Sequence, residues 1–335
     1  MASLKDVANR AGVSVATASR VATGSTYVRP ETRDRVELAM QELLYVPPGR
    51  LPDSGAIGLL VPEFANPVFA ALAQALETHA TNAGYAAILC NTRGSALREV
   101  GYVHMLLERK VEGMVFICAE ITDVRGDHGH YEQLLEQGAR LVFVNGGLAS
   151  PASTTVGVDE RAAGRLATEH LLELGHRHIG FVAGEVFAQA TREKLAGRDD
   201  ALLDAGIEPN GSVAHAGFTV PGGRRALRRL METAPENRPT GVMCSNDLMA
   251  IGAMLEATAL GLRVPEDLSV VGFDGIDAGT WTQPPLTTVE QPIDDIAATA
   301  IEALRKLIET PDHAQPNYIF HPRIRPGGTT APPGR

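Results

Sequence analysis

The stretch Ser3-Leu4-Lys5-Asp6-Val7-Ala8-Asn9-Arg10-Ala11-Gly12-Val13-Ser14-Val15-Ala16-Thr17-Ala18-Ser19-Arg20-Val21-Ala22 reads as two short helices folded against each other across one turn. Ser3 and Ser14 stand where an N-cap hydroxyl accepts backbone N–H bonds from a first helical turn, and Gly12 supplies the permissive backbone between them. The first helix is expected over 4–11, and the second starts at 15. Leu4, Val7, Ala8, Ala11, Val13, Ala18 and Val21 recur at helical spacing on the inward faces, with alanines where two helices must approach closely. A third helix is expected from Arg29 or Pro30 to Leu44, with Pro30 at its start and Val36, Ala39, Met40 and Leu43 as its apolar stripe. Together the three form a helix-turn-helix head over 1–46.

What stays outward at the second helix is polar or small: Ser14, Val15, Ala16, Thr17, Ser19 and Arg20. Such a face suits the major groove of double-stranded DNA. Arg20 can pair bidentately with guanine or clamp a phosphate, Thr17 and Ser19 can hydrogen-bond bases or phosphates, and the Val15 and Ala16 methyls can meet thymine methyls. A net charge of −10 looks wrong for a DNA partner. Counted by segment, residues 1–50 hold seven Lys/Arg against five Asp/Glu, so the head is positive and the acid lies in the remainder. Phosphate attraction acts within a Debye length of about 8 Å, so the local sign decides.

The segments Leu4-Lys5-Asp6-Val7-Ala8, Ala11 to Val21, Arg29 to Val36 and Leu44-Tyr45-Val46-Pro47 resemble the headpiece of the lactose/galactose-repressor (LacI/GalR) family. The resemblance implies a dimeric transcription regulator, here a homodimer on a near-palindromic operator, whose larger domain is like a periplasmic sugar-binding protein. It also implies that Val15, Ala16 and Arg20 read bases, that Arg29 lies at the DNA, and that a hinge leucine, here Leu51, wedges into the minor groove. The hinge over 47–55 is shorter than usual. Gly49, Pro52 and Gly55 interrupt it, which points to an extended tether and little operator kinking.

From residue 56 onward, short β-runs alternate with amphipathic helices, the texture of parallel strands with crossover helices. Strands are expected at 57–61, 86–90, 114–117 and 141–144, and again at 179–182, 213–215, 241–244 and 269–273, with helices between them. The fold class is therefore α/β: two parallel sheets in two lobes, with the head in front. The core spans 56–335, with one lobe at about 56–150 plus 288–311 and the other at about 151–287 plus 315–330. The resemblance implies three crossings between lobes, expected near 146–155, 284–289 and 311–316.

Two such lobes face each other across a cleft at the carboxyl ends of their strands, where a small effector binds. Asn145, Asn246 and Asp274 end strands as in the family's sugar-binding motifs, and Phe69 and Phe218 match its flanking aromatic rings, while Asp247 reads as a helix cap. Arg192-Glu193-Lys194-Leu195-Ala196-Gly197 places Lys194 where many relatives carry a clamping arginine, and Arg192 is close by. Lysine is a point charge without the two-pronged geometry. Arg93 replaces a frequent acid at the cleft edge. The effector is expected to be a sugar or sugar phosphate.

Other chemistry finds little support. Gly175-His176-Arg177-His178 reads as a capping segment rather than a metal site, and Asp127-His128-Gly129-His130 as a solvated loop. The chain has no nucleophile elbow, phosphate loop or dinucleotide fingerprint, so no enzyme activity, metal or cofactor is expected. Cys90, Cys118 and Cys244 are too far apart for a disulfide framework and read as buried thiols. With no signal-like or membrane-spanning run, a cytoplasmic protein is expected. The competing reading is a cytoplasmic sugar-binding or sugar-processing protein whose N-terminal helices serve oligomerisation.

Overall fold

The computed structural model describes residues 2–23, 27–45, 55–118, 120–148, 154–209, 211–310 and 316–334. The head consists of α1 (Leu4–Ala11), α2 (Val15–Ala22) and α3 (Pro30–Glu42). Ser3 and Asp6 form a capping box on α1, Gly12 closes that helix at φ 64°, and Ser14 caps α2 by accepting the Thr17 N–H. Val7, Ala8, Ala18, Val21, Val36 and Met40 fill the shared seam. An Arg10–Glu42 ion pair of 2.7 Å ties α1 to α3. Hinge residues 47–54, including Leu51, lie outside the described residues.

The first lobe contains β1 (Ala56–Val61), α4 (Pro67–Asn82), β2 (Ala86–Asn91), α5 (Ala96–Glu108), β3 (Gly113–Ile117), α6 (Gly129–Glu136), β4 (Leu141–Val144) and β5 (Thr154–Val158). The second lobe contains α7 (Glu160–Glu173), β6 (Ile179–Ala183), α8 (Gln189–Asp204), β7 (Val213–His215), α9 (Val220–Met231), β8 (Gly241–Cys244), α10 (Asp247–Ala259), β9 (Ser269–Asp274) and β10 (Thr287–Glu290). Then α11 (Ile293–Glu309) returns to the first lobe, followed by β11 (Tyr318–Phe320) and β12 (Arg323–Arg325).

The two sheets repeat one topology. Their strand orders are β11-β5-β4-β3-β1-β2 and β12-β10-β9-β8-β6-β7. All pairings are parallel except β10 with β12. Strands covered on both faces need apolar residues at every position, which is why β1, β3 and β4 are near-continuous apolar runs. Ile57, Leu59 and Val61 meet α4 and α11, while Leu60, Met114, Phe116 and Phe143 fill the opposite face toward α5 and α6.

All three crossings lie later in the chain than the sequence places them. Thr154–Val158 is a strand of the first sheet, paired with β4 and β11, so the chain leaves the first lobe only after Val158. The segment 287–290 belongs to the second sheet, paired with β9, and the return follows Glu290. The third crossing is at 321–322, because Tyr318–Phe320 pairs in the first sheet and Arg323–Arg325 in the second. β5, β10 and β12 are rich in Thr, Gly or Arg, and the apolar β11 is only three residues long with its partner β5 far back in the chain, so no extended apolar run marks these strands.

One further assignment is corrected. Residues 129–130 open α6 instead of lying in a solvated loop: the His130 ring sits 3.9 Å from the Tyr131 ring, and His128 Nε2 is 3.2 Å from the Glu120 carbonyl. The 175–178 segment caps α7 as expected, with the Gly175 and His176 N–H groups donating to the Leu172 and Leu171 carbonyls and Gly175 at φ 100°; the His176 side chain is also buried, where it bonds Thr240, Ser269 and the Ala331 carbonyl and anchors the C-terminal tail.

Candidate functional site

Two surfaces carry chemistry. On the head, Ser14, Val15, Ala16 and Arg20 are exposed, and Thr17 and Ser19 are partly so. The Ser14 and Thr17 hydroxyls lie 2.9 Å apart, so both are held at the start of α2. Arg20 makes no ion pair among the described residues and is free to meet a phosphate or base. Arg29 is the exposed residue before α3, with no side-chain capping bond.

The second surface is a cavity of about 480 Å³ between the lobes. Strand ends and the helix starts that follow them build it, and side-chain caps fix those helix starts. Asn66 caps α4, Asp159 caps α7, Thr219 caps α9 and Asn246 caps α10. Phe69, Asn145, Lys194, Phe218, Asn246 and Asp274 all line the cavity. Arg192 does not: it is exposed on the first turn of α8, away from the lining.

Of the six non-glycine residues at positive φ among those described, four line the cavity: Arg93, Cys118, Asn145 and Asp274. Strained backbone of this kind costs free energy and persists where the surroundings enforce it, which marks the strand ends as a built site. Asp274, at φ 120°, is buried, and burial pushes its carboxyl well above the usual range despite a 2.8 Å bond from Gln291 Nε2. Gln291 Oε1 in turn accepts from Asn145 Nδ2 at 2.9 Å, so one side chain links both lobes beneath the cavity.

The α10 cap falls to Asn246 rather than Asp247, and Asn246 lines the cavity as well. Asn246 is the cap, accepting the Met249 N–H at 2.9 Å. Asp247 is the first residue of α10, fully buried, accepting from the Thr288 hydroxyl at 2.5 Å and the Ile276 N–H at 2.8 Å. Burial raises its carboxyl to about 7.

Lys194 is buried, pairs with Glu160, and lies 3.6 Å from the centre of the Phe273 ring. Helix packing dictates this pairing. α7 and α8 cross at Gly164 and Gly197, where an added Cβ would collide with the Lys194 and Arg161 carbonyls respectively. Only this close approach brings Glu160 and Lys194 together. Burial raises the Glu160 carboxyl and the Lys194 charge opposes that rise.

Sequence reasoning missed most of the cavity's acid. Glu63, Glu99, Glu120, Asp123, Glu160 and Glu185 line it along with Asp274, against only Arg93 and Lys194. Glu99 is buried under the Tyr131 hydroxyl, and burial raises its carboxyl. The first residues of α7 and α10 are themselves acidic, so the chain's own carboxylates already occupy two positive helix ends. Only Glu160, next to the capping Asp159, had a local signal; the others are single acids in loops or helix turns.

Comparison with known proteins agrees with this geometry. Residues 3–48 match the family model for bacterial regulatory proteins of the lacI family, and 168–330 match a periplasmic binding protein-like domain. The chain is 39% identical over 334 residues to an uncharacterized HTH-type transcriptional regulator in the aml 5' region of Streptomyces limosus, covering 98% of this chain and 94% of that protein. Among solved structures, a transcriptional regulator CelR–cellobiose complex superposes with a TM-score of 0.75 at 30% identity, covering 98% of this chain and 100% of that one. A lac repressor dimer bound to operator and the anti-inducer ONPF gives 0.74 at 27% identity, covering 98% and 99%.

Proposed function

Because this chain belongs to the lacI family of bacterial regulatory proteins, which are transcriptional regulators and not enzymes, we propose that it is an effector-controlled repressor acting in the cytoplasm. As a homodimer it holds a near-palindromic operator through two copies of the α2 face, matching two half-sites. The exposed Ser14-Val15-Ala16-Arg20 edge carries this reading, since an oligomerisation helix would have no use for a free guanidinium there. Exposed Leu89, Leu97, Val100 and Trp281 supply apolar surface for the second subunit. The lac repressor dimer on its operator supports the same assembly.

For the effector we propose a neutral sugar rather than a phosphorylated one. Carboxylates accept paired hydroxyl bonds, and the Phe69 and Phe218 rings offer apolar faces. With the Glu160–Lys194 and Asp123–Arg125 pairs set aside, Glu63, Glu99, Glu120, Glu185 and Asp274 remain against Arg93, an acidic lining that opposes a phosphate dianion. The cellobiose bound by CelR is a ligand of this neutral class. Binding would alter lobe closure and so the spacing of the heads, with a coupling of about 1–3 kcal/mol. A thermal-shift panel of neutral mono- and disaccharides beside their phosphates tests the class. Stabilisation by neutral sugars alone supports it, and stabilisation by phosphates alone refutes it.

A further inference from the structure

The three crossings leave both sheets at one edge, that of β5 and β11 in the first lobe and β10 and β12 in the second. The segments after β3 and β6 lie two and three strands inward from β5 and β10. At about 4.8 Å per strand, they face each other roughly 10–14 Å from that pivot. There the lobes touch without a covalent connection. Asp123 and Ala188 pair as an isolated antiparallel bridge, and the Val124 N–H donates to the Phe187 carbonyl at 3.0 Å. The Arg125 guanidinium lies 3.8 Å from the centre of the Phe187 ring. Asp123 holds that guanidinium with two bonds, of 3.0 and 2.6 Å, so it is oriented in advance. Asp123, Phe187 and Ala188 are also part of the cavity wall.

We propose that residues 123–125 and 187–188 form a latch across the mouth of the cleft that holds the lobes against each other. The effector then enters and leaves only when this latch opens. The proposal rests on reading the cleft as the effector site. Exposure makes the latch weak: the Arg125 side chain is 58% exposed and Phe187 is 42% exposed. A contact of this kind opens readily, as a gate must.

The chain contains its own reporter. Cys118 lines the cavity and is partly buried, whereas Cys90 and Cys244 are buried in the cores of the two lobes. Alkylation of the full-length, ligand-free protein by iodoacetamide, followed residue by residue by mass spectrometry, therefore reads cleft opening at Cys118 and unfolding at the other two. Arg125→Ala and Phe187→Leu should each raise the Cys118 rate roughly two- to five-fold, as loss of one exposed cation–π contact implies, leaving Cys90 and Cys244 unchanged. A double substitution, Asp123→Cys with Ala188→Cys, should form an intrachain disulfide on oxidation, because bridge partners have suitable Cβ spacing, and should slow Cys118 below the parent rate. Unchanged Cys118 rates in both single variants, or engineered thiols that are accessible yet do not join, would overturn the latch. No step uses an effector. Failure here is thus separate from failure of the effector reading, which would appear as an absent thermal shift with sugars.

Discussion

Asp247 links stability to pH in an unusual direction. Its carboxyl has an ordinary value of 3.8 and is raised to about 7 by burial, against the bonds from Thr288 and Ile276. Between those values the folded chain keeps a proton that the unfolded chain has released, so stability falls as pH rises. The full effect is present below 3.8 and is lost as pH passes through 7. Over that whole window the loss is about 4 kcal/mol, and about 2.5 kcal/mol of it falls between pH 5 and pH 8. Asp247→Asn removes the titration. It also replaces one accepting oxygen with an NH2 group, so the variant should be less stable than the parent at pH 5, by about 1–3 kcal/mol. That deficit should shrink or reverse at pH 8, where the parent must hold a buried charge. Urea unfolding followed by circular dichroism at both pH values measures the difference directly. The reasoning fails if the parent and Asp247→Asn lose the same stability between pH 5 and pH 8.

The other expectations are simpler. Arg20→Ala should weaken binding to a duplex selected from random sequence by about 1–3 kcal/mol in an anisotropy titration, with the fold intact; unchanged affinity would remove α2 as the reading helix. Lys194→Met leaves the partly buried Glu160 without its partner and should cost about 1–3 kcal/mol at neutral pH, whereas Lys194→Met with Glu160→Gln should recover much of it; a neutral single variant would show that the pair carries little. Gly197→Ala forces α8 off α7 at the Arg161 carbonyl and should destabilise the second lobe by about 1–3 kcal/mol in chemical denaturation, so a neutral result would contradict the close crossing.

The head was almost fully legible because its signals are local. Caps at Ser3 and Ser14, the left-handed turn at Gly12 and the apolar residues at helical spacing all act within a few residues, so reading them in order recovers α1, α2 and the exposed face. The alternating strands and helices of both lobes were legible for the same reason, since a strand buried on two faces must be apolar throughout. The cleft residues Asn145, Asn246 and Asp274 were found because they end such strands. Only the tertiary structure revealed the late crossings, the buried role of Asp247 and the acid that surrounds the cavity. β5 finds its outer partner, β11, more than 150 residues along the chain. The Glu160–Lys194 pair exists because two glycines let two helices touch. A side chain's charge is written in the sequence, but whether it faces water, a partner or a ligand depends on distant chain packed around it.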